Sequence, residues 1–352
     1  MNPITIKDIA REAGVSTATV SYVINDSRPV MPEKRQRVLD VISKRNYQPN
    51  RVAKSLRTKR TNTIGVLVED IMSFPTAGII NGMSEYIEQT DYNILLNDLR
   101  MLESLFNKYD EVIHQKNKIN DALSFLVFGA KVDAVIYVGM FNRDISGVIA
   151  NIHKPMVFAY SSSCDDYTYS VNYENEDAAA MLAHHLIENG HKRIAVITGL
   201  ADTPPAQSRL SGINKAFNEA NLKLDKALVR NGDWERSSGY VCMKDLLKLD
   251  SKKRPTAVLA MNDLMAVGAM DAIRDSNLNV PEDISVVGFD NREVSEFVYP
   301  KLTTVEIDLK AIGYAAAQMV TQKLNGIGEY ANVRNIIIPS KLITRDTVKK
   351  IK

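Results

Sequence analysis

The chain has 352 residues, 44 Lys+Arg against 42 Asp+Glu, a formal net charge of +2, and 45% hydrophobic content. This excludes a mostly disordered chain and, at ~150 residues per domain, predicts two or three domains. The two cysteines, Cys164 and Cys242, form no C-x-x-C pair, no apolar run approaches the ~20 residues of a membrane span, and Lys7, Asp8, Arg11 and Glu12 interrupt the place of a signal-peptide core. A cytoplasmic protein in a reducing compartment, with no membrane partner, is expected.

The near-neutral total hides a split. Residues 1–60 carry 13 Lys+Arg and 5 Asp+Glu, a net of +8, and the other 292 residues carry 31 and 37, a net of −6. A basic head fits a module that neutralises phosphates, and an acidic body fits one that repels them. The same excess also fits a solvated basic face, so charge alone does not decide.

Thr5-Ile6-Lys7-Asp8 has the form of a capping box. Ile6, Ile9, Ala10 and Ala13 follow at helical spacing, and Gly14 ends the helix. Ser16 caps a second helix running to about Asn25, with Val20, Val23 and Ile24 inward and Thr17, Ala18, Ser21 and Tyr22 on the other side. Two short helices joined by a tight turn are the helix-turn-helix pattern. A third helix is predicted from about Pro32 to Arg45, with Val38, Val41 and Ile42 facing the core. Pro49 blocks its continuation, and Asn50 begins a basic stretch of about two helical turns, marginal alone in water.

"TIKDIAREAGVSTATVSYVIN" and "NYQPNRVAKSLRTKRTNTIGVLV" resemble the LacI/GalR family of bacterial transcription regulators. The resemblance implies that the second helix reads operator bases, with Thr17, Ala18 and Tyr22 as readers. Tyr22 stands where the family very often has Arg, and Tyr cannot make the bidentate Arg–guanine pair. Thr5, Ser16, Thr19, Ser21 and Asn25 complete the implied DNA-binding set in the head. A hinge helix is implied over 50–57, where Asn50, Ala53, Lys54 and Arg57 meet DNA and Leu56 wedges into the minor groove.

In the body, short apolar runs at 64–68, 92–96, 134–138, 156–158, 194–198, 257–261, 284–288 and 335–338 alternate with helical stretches such as 176–189. Continuous β-branched runs between helices predict buried parallel strands and a doubly wound α/β body, large enough for two lobes. "HLIENGHKRIAVITG", "RLSGINKAF", "GDWERSSGY", "AVLAMNDLMAVGAMDAI", "VPEDISVVGFDN" and "YPKLTTV" follow the family's order and resemble its effector-binding core, itself similar to periplasmic sugar-binding proteins. The expected organisation is therefore a helix-turn-helix domain over 1–48, a hinge over 49–61, and a core over 62–352. Within the core, an N-lobe is expected at about 62–172 and 307–338 and a C-lobe at about 173–306 and 339–352. The resemblance implies crossings between lobes near Asn172, Glu306 and Ile338.

The resemblance also places effector-binding residues. Arg209 would fork onto effector oxygens, Asp290 would accept hydrogen bonds, Asn262 would contact the ligand, and Trp234, the single Trp, would stack on it. Tyr160 is placed by counting back from "SVNYEN". Each has a structural alternative: a solvated helix residue for Arg209, core packing for Trp234, and helix capping for Asp290 and Asn262. Residues 99–123 exceed the usual family spacing by roughly a dozen. They would cover the cleft or extend the lobe surface, a pendant surface helix being the expectation.

No G-x-x-x-x-G-K-[ST], H-E-x-x-H or G-x-S-x-G motif occurs, and His184, His185 and His191 lack a completing ligand set. No cofactor, metal or catalytic constellation is expected. The reading is a DNA-binding repressor that binds a pseudopalindromic double-stranded operator as a homodimer and is switched by a small, sugar-like effector. A periplasmic-type solute-binding protein is the alternative, disfavoured by the helix-turn-helix where a signal peptide would stand.

Overall fold

Thr5 opens the first helix, α1 (Ile6–Ala13), with the reciprocal bonds its sequence predicts. In this computed structural model, which describes residues 4–47, 60–102, 115–165 and 168–351, Asp8 N donates to Thr5 Oγ1 at 3.4 Å and Thr5 N donates to Asp8 Oδ2 at 3.0 Å. Gly14 closes α1 at φ 63°, in the left-handed region that costs glycine least. Ser16 Oγ then accepts from Thr19 N at 3.1 Å and starts α2 (Thr17–Asn25). The third helix, α3, spans Pro32–Arg45. Ile9, Ala10, Ala13, Val20, Val23 and Val38 form a small core, flanked by half-buried Ile24, Val41 and Ile42. Glu12 holds the end of α3 through Arg45 Nε at 2.8 Å and Lys44 Nζ at 3.6 Å.

The chain divides into two units, Met1–Thr61 and Asn62–Lys352. The second unit carries two parallel sheets. In sequence order the first contains β1 (Thr63–Val68), β2 (Asn93–Asp98), β3 (Ala134–Val138), β4 (Met156–Ala159), β5 (Thr168–Asn172) and later β11 (Asn335–Ile337), arranged β11-β5-β4-β3-β1-β2. The second contains β6 (Ile194–Thr198), β7 (Val229–Asn231), β8 (Ala257–Ala260) and β9 (Ser285–Val287), arranged β7-β6-β8-β9. A short antiparallel pair joins β10 (Thr304–Glu306) to β12 (Lys341–Ile343). The chain thus leaves the six-stranded sheet after β5, returns for β11 and leaves again for β12.

Most interior strands are mainly apolar because helices cover both sheet faces. Every residue of β3, β4, β6 and β8 is buried. At ~1.5–3 kcal/mol for each large apolar side chain removed from water, Tyr137, Phe158, Phe217 and Phe289 are major contributors to this core. The expected run at 92–96 is displaced to 93–98, where β2 is a half-buried edge strand. β7, β10 and β12 were not expected; each has three residues, too few for a periodic signal.

Helices connect the strands: α4 (Phe74–Ile87), α5 (Lys116–Ser124), α6 (Asn175–Glu188), α7 (Pro204–Glu219), α8 (Arg236–Leu247), α9 (Asp263–Arg274), α10 (Val294–Phe297) and α11 (Leu309–Asn325). α4 and α11 approach closely enough that a Cβ on Gly82 or Gly313 would strike the backbone of the other helix. Part of the longer segment at 99–123 departs from the pendant-helix expectation. Residues 103–114 lie outside the described residues, but α5 buries Ile119 and Leu123 against Leu67 and Val135 and continues into a π-helical turn, Phe125–Gly129.

Candidate functional site

The head places Thr17 and Ala18 on its exposed surface and leaves Tyr22 and Ser21 half-buried. The Arg28 guanidinium lies 5.3 Å from the Tyr22 ring centroid, so this Tyr face already has a cationic neighbour. Thr5 and Ser16 are exposed, but both hydroxyls are engaged in helix caps, and Thr19 Oγ1 lies 2.9 Å from Ser16 Oγ. Thr5 thus holds the start of α1, while Ser16 and half-buried Thr19 hold the start of α2. The Asn25 side chain and the hinge residues Asn50, Ala53, Lys54, Leu56 and Arg57 lie outside the described residues.

In the body, Tyr160, Arg209, Trp234, Asn262 and Asp290 line one cleft of about 240 Å³. Topology explains their convergence. Tyr160 follows β4, Trp234 follows β7, Asn262 follows β8 and Asp290 follows β9, while Arg209 sits on α7 after β6. All come from the carboxyl ends of parallel strands, where open α/β sheets present their ligand crevices. Tyr160 (φ 58°), Trp234 (φ 76°) and Asp290 (φ 106°) have left-handed backbones. Such conformations cost about 1–3 kcal/mol each for non-glycine residues and concentrate at ligand clamps.

Arg209 is not a solvated helix residue; it is 4% exposed. Its Nε donates to Asn175 Oδ1 at 2.8 Å, Nη1 donates to the Met261 carbonyl, and Nη2 donates to the Tyr173 hydroxyl at 3.0 Å. Nη2 also stands 3.5 Å from Asp290 Oδ1. The guanidinium lies 3.6 Å from the Phe289 ring centroid and 5.5 Å from that of Trp234. Much of its fork is thus committed inside the protein. Asn262 caps α9: its Oδ1 accepts from Met265 N at 2.8 Å and its Nδ2 donates to the Trp234 carbonyl at 2.7 Å. Trp234 is half-buried rather than core, with no hydrogen-bond partner for its buried Nε1. Gly199 makes room for its ring, since a Cβ there would strike it. Tyr160 stacks on Tyr173 with ring centroids 5.4 Å apart.

Two buried carboxyls, Asp290 in the cleft and Asp263 beside it, are shifted upward. Burial raises the Asp290 carboxyl to about 6 against the opposing pull of Arg209 and Arg292. Asp263, fully buried at the start of α9, is raised to about 8, by burial first and then by the Asp290 charge. Thr304 Oγ1 and the Arg292 backbone N–H each donate to Asp263 at 2.6 Å. Burial thus favours the protonated form of Asp263 more strongly than that of Asp290, whose carboxyl faces Arg209.

Sequence reasoning missed Phe74, Tyr173, Asp263 and Arg292. Phe74 and Arg292 both line the cleft and touch across it, one following β1 and the other β9, with the guanidinium 4.5 Å from the ring centroid. The available signal was position: both follow the carboxyl end of an apolar strand run. His184 bonds Glu219 at 2.9 Å, and among the described residues no group of three or more His, Cys, Asp or Glu is arranged to hold a metal ion.

Comparison with known proteins finds matches for both units. Residues 5–50 match the family described as bacterial regulatory proteins, lacI family, and residues 183–348 match the periplasmic binding protein-like domain. The chain is 33% identical over 348 residues to the HTH-type transcriptional repressor PurR of Pasteurella multocida (strain Pm70), covering 98% of each chain. It is 32% identical over 347 residues to catabolite control protein A of Staphylococcus xylosus, covering 98% of this chain and 99% of that one. Its structure is similar to the lac repressor dimer bound to operator and the anti-inducer ONPF, with a TM-score of 0.78 and 28% identity over 99% of this chain and 100% of that chain. No helix among the described residues is long and apolar enough to cross a membrane.

Proposed function

The chain belongs to the LacI family of bacterial regulatory proteins and is a DNA-binding transcriptional repressor rather than an enzyme; from that premise we propose that a small, sugar-like effector in the body cleft controls its hold on a pseudopalindromic operator. The observation that carries this reading is the convergence of Tyr160, Arg209, Trp234, Asn262 and Asp290 on one cleft. Aromatic faces at Trp234 and Tyr160 suit the C–H surface of a sugar ring, and the Asp290 carboxylate suits its hydroxyls. Asn262 contributes mainly by fixing Trp234 and the start of α9. The switch is linkage: an effector that binds two body states unequally shifts DNA affinity by the same coupling factor. The Arg292–Phe74 contact, spanning the cleft, is one that lobe movement would make or break.

On the DNA side, Thr17, Ala18 and Tyr22 are proposed as base readers, with Thr5, Ser16, Thr19, Ser21 and Asn25 beside them. Asn50, Ala53, Lys54 and Arg57 are proposed as hinge contacts and Leu56 as the minor-groove wedge. Two half-sites require two heads, so a cytoplasmic homodimer is proposed. Phe297 and Tyr299, 75% and 92% exposed beside a hollow lined by Met270 and Val280, offer an apolar surface for a second copy.

The test is a thermal-shift panel of sugars, sugar phosphates and nucleobases on the full chain, with Trp234 fluorescence and operator affinity as readouts. At least one compound should raise the melting temperature, change the fluorescence and shift operator affinity. Arg209→Ala and Asp290→Asn should each abolish the response. A saturable effect on operator affinity that survives both substitutions would refute the site.

A further inference from the structure

The strand ends opposite the cleft carry a second concavity. Apart from Phe217 on α7, its residues lie in three segments that precede strands of the four-stranded sheet: 192–194 at β6, 223–228 before β7 and 249–253 before β8. The cavity measures about 280 Å³. Phe217, Ile194 and Leu228 form a buried apolar floor. Lys192, Arg193, Lys223, Lys252 and Lys253 form an exposed rim. The single acid in that lining, Asp225, is engaged in capping, its Oδ1 accepting from Ala227 N at 2.9 Å. Among the described residues, Lys192, Lys223, Lys252 and Lys253 form no ion pair. Nor is the rim a loose collection: Arg193 Nε donates to the Arg254 carbonyl at 3.1 Å, and Arg254 Nε donates to the Leu249 carbonyl at 2.9 Å, tying the first segment to the third.

Five cations around one hollow repel each other, and the one carboxylate in the lining, Asp225, offsets only part of their charge. The acidic excess of the body is therefore unevenly spread, with basic residues gathered at this hollow. We propose that this hollow is a binding site for a small polyanion, a metabolite carrying two or more phosphoryl groups. Its concavity and apolar floor favour a compact ligand over an extended strand, since the cations ring a pocket rather than line a groove. Several point charges converging on one ligand make affinity rise steeply with ligand charge. The site is separate from the effector cleft and stands whether or not the cleft ligand is a sugar.

The test uses inorganic triphosphate as the probe, titrated calorimetrically into the full chain at fixed ionic strength. The basic head is a second anion acceptor, so substitutions isolate the pocket. Wild type should bind saturably, and at least ten times more tightly than it binds inorganic phosphate. Lys192→Glu combined with Lys253→Glu should weaken triphosphate binding at least ten-fold, Lys223→Ala should weaken it measurably without charge reversal, and Lys118→Glu on α5 should leave it unchanged. Equal affinity in all variants would overturn the proposal, as would equal affinity for phosphate and triphosphate. Loss of nonspecific duplex binding in the pocket variants, with triphosphate binding intact, would reassign the patch to nucleic acid and overturn it too.

Discussion

Asp8 and Glu12 in the head are exposed carboxylates held below their ordinary range, the first chiefly by its hydrogen bond with Thr5 and the second by that with Arg45. Asp290 in the cleft and Asp263 beside it are buried carboxylates raised to about 6 and about 8. The same functional group is therefore displaced in opposite directions, because hydrogen bonds dominate where water remains and desolvation dominates where it is excluded. Linkage then assigns the two regions opposite responses to pH. A depressed carboxylate adds stability above its unfolded value, and that stability is lost as pH falls through the lower folded value. A raised carboxylate adds stability below its unfolded value, and that stability is lost as pH rises through the folded value. The head should weaken in acid, while the raised Asp263 and Asp290 should weaken the body as pH rises from about 4 to about 8.

The largest expected effect comes from breaking the cleft network. Arg209→Ala leaves Asp290 buried without its cation and should cost about 3–5 kcal/mol of body stability. Urea unfolding followed by Trp234 fluorescence measures this in the body alone, because Trp234 is the single Trp. A loss below about 1 kcal/mol would mean that the buried pair contributes little to the stability of the body.

A middle-sized effect should appear in pH dependence. Between pH 6.5 and 8 the fluorescence-detected melting temperature of wild type should fall, because the unfolded Asp263 carboxyl gives up a proton that the buried, folded one holds more tightly. Asp263→Asn should start lower, having lost an acceptor for the Arg292 N–H, but should show a nearly flat profile. Parallel profiles in the two proteins would remove Asp263 as the titrating group.

The smallest effect belongs to the head. Thr5→Ala removes a capping hydroxyl and should cost about 1 kcal/mol. Amide hydrogen exchange at Ile9 and Ala10 would report it, with Trp234 fluorescence unchanged. An equal response at both probes would show that the two regions do not behave as separate energetic units.

These regions also differ in how openly the sequence displays them. Thr5, Gly14 and Ser16 announce the head because a cap acts over three or four residues and needs only local geometry. The order of motifs carries Arg209, Trp234, Asn262 and Asp290 into the cleft by resemblance, and their shared position past strand ends gives that resemblance a physical basis. Phe74, Tyr173 and Asp263 escaped because their roles depend on neighbours far along the chain. β5 escaped for a related reason. Its Ser170 and Asn172 look unsuited to an interior strand, yet Ser170 Oγ donates to Asn335 Oδ1 at 3.1 Å and Asn172 Nδ2 donates to the Ser161 carbonyl at 2.7 Å.

What the amino-acid order determined by itself is the periodicity of the helices, their caps, the apolar strands and the segregation of basic head from acidic body. These follow from backbone preference, hydrophobic pattern and charge count, all readable within short windows. Tertiary structure alone decided that the Asp263 carboxyl is pushed upward, that Asn262 serves as a cap, that the Arg209 fork is largely committed, and that five cations of an acidic body surround one hollow. Desolvation and Coulomb energy depend on distance and surrounding medium rather than on sequence separation, and only the folded strand order sets both.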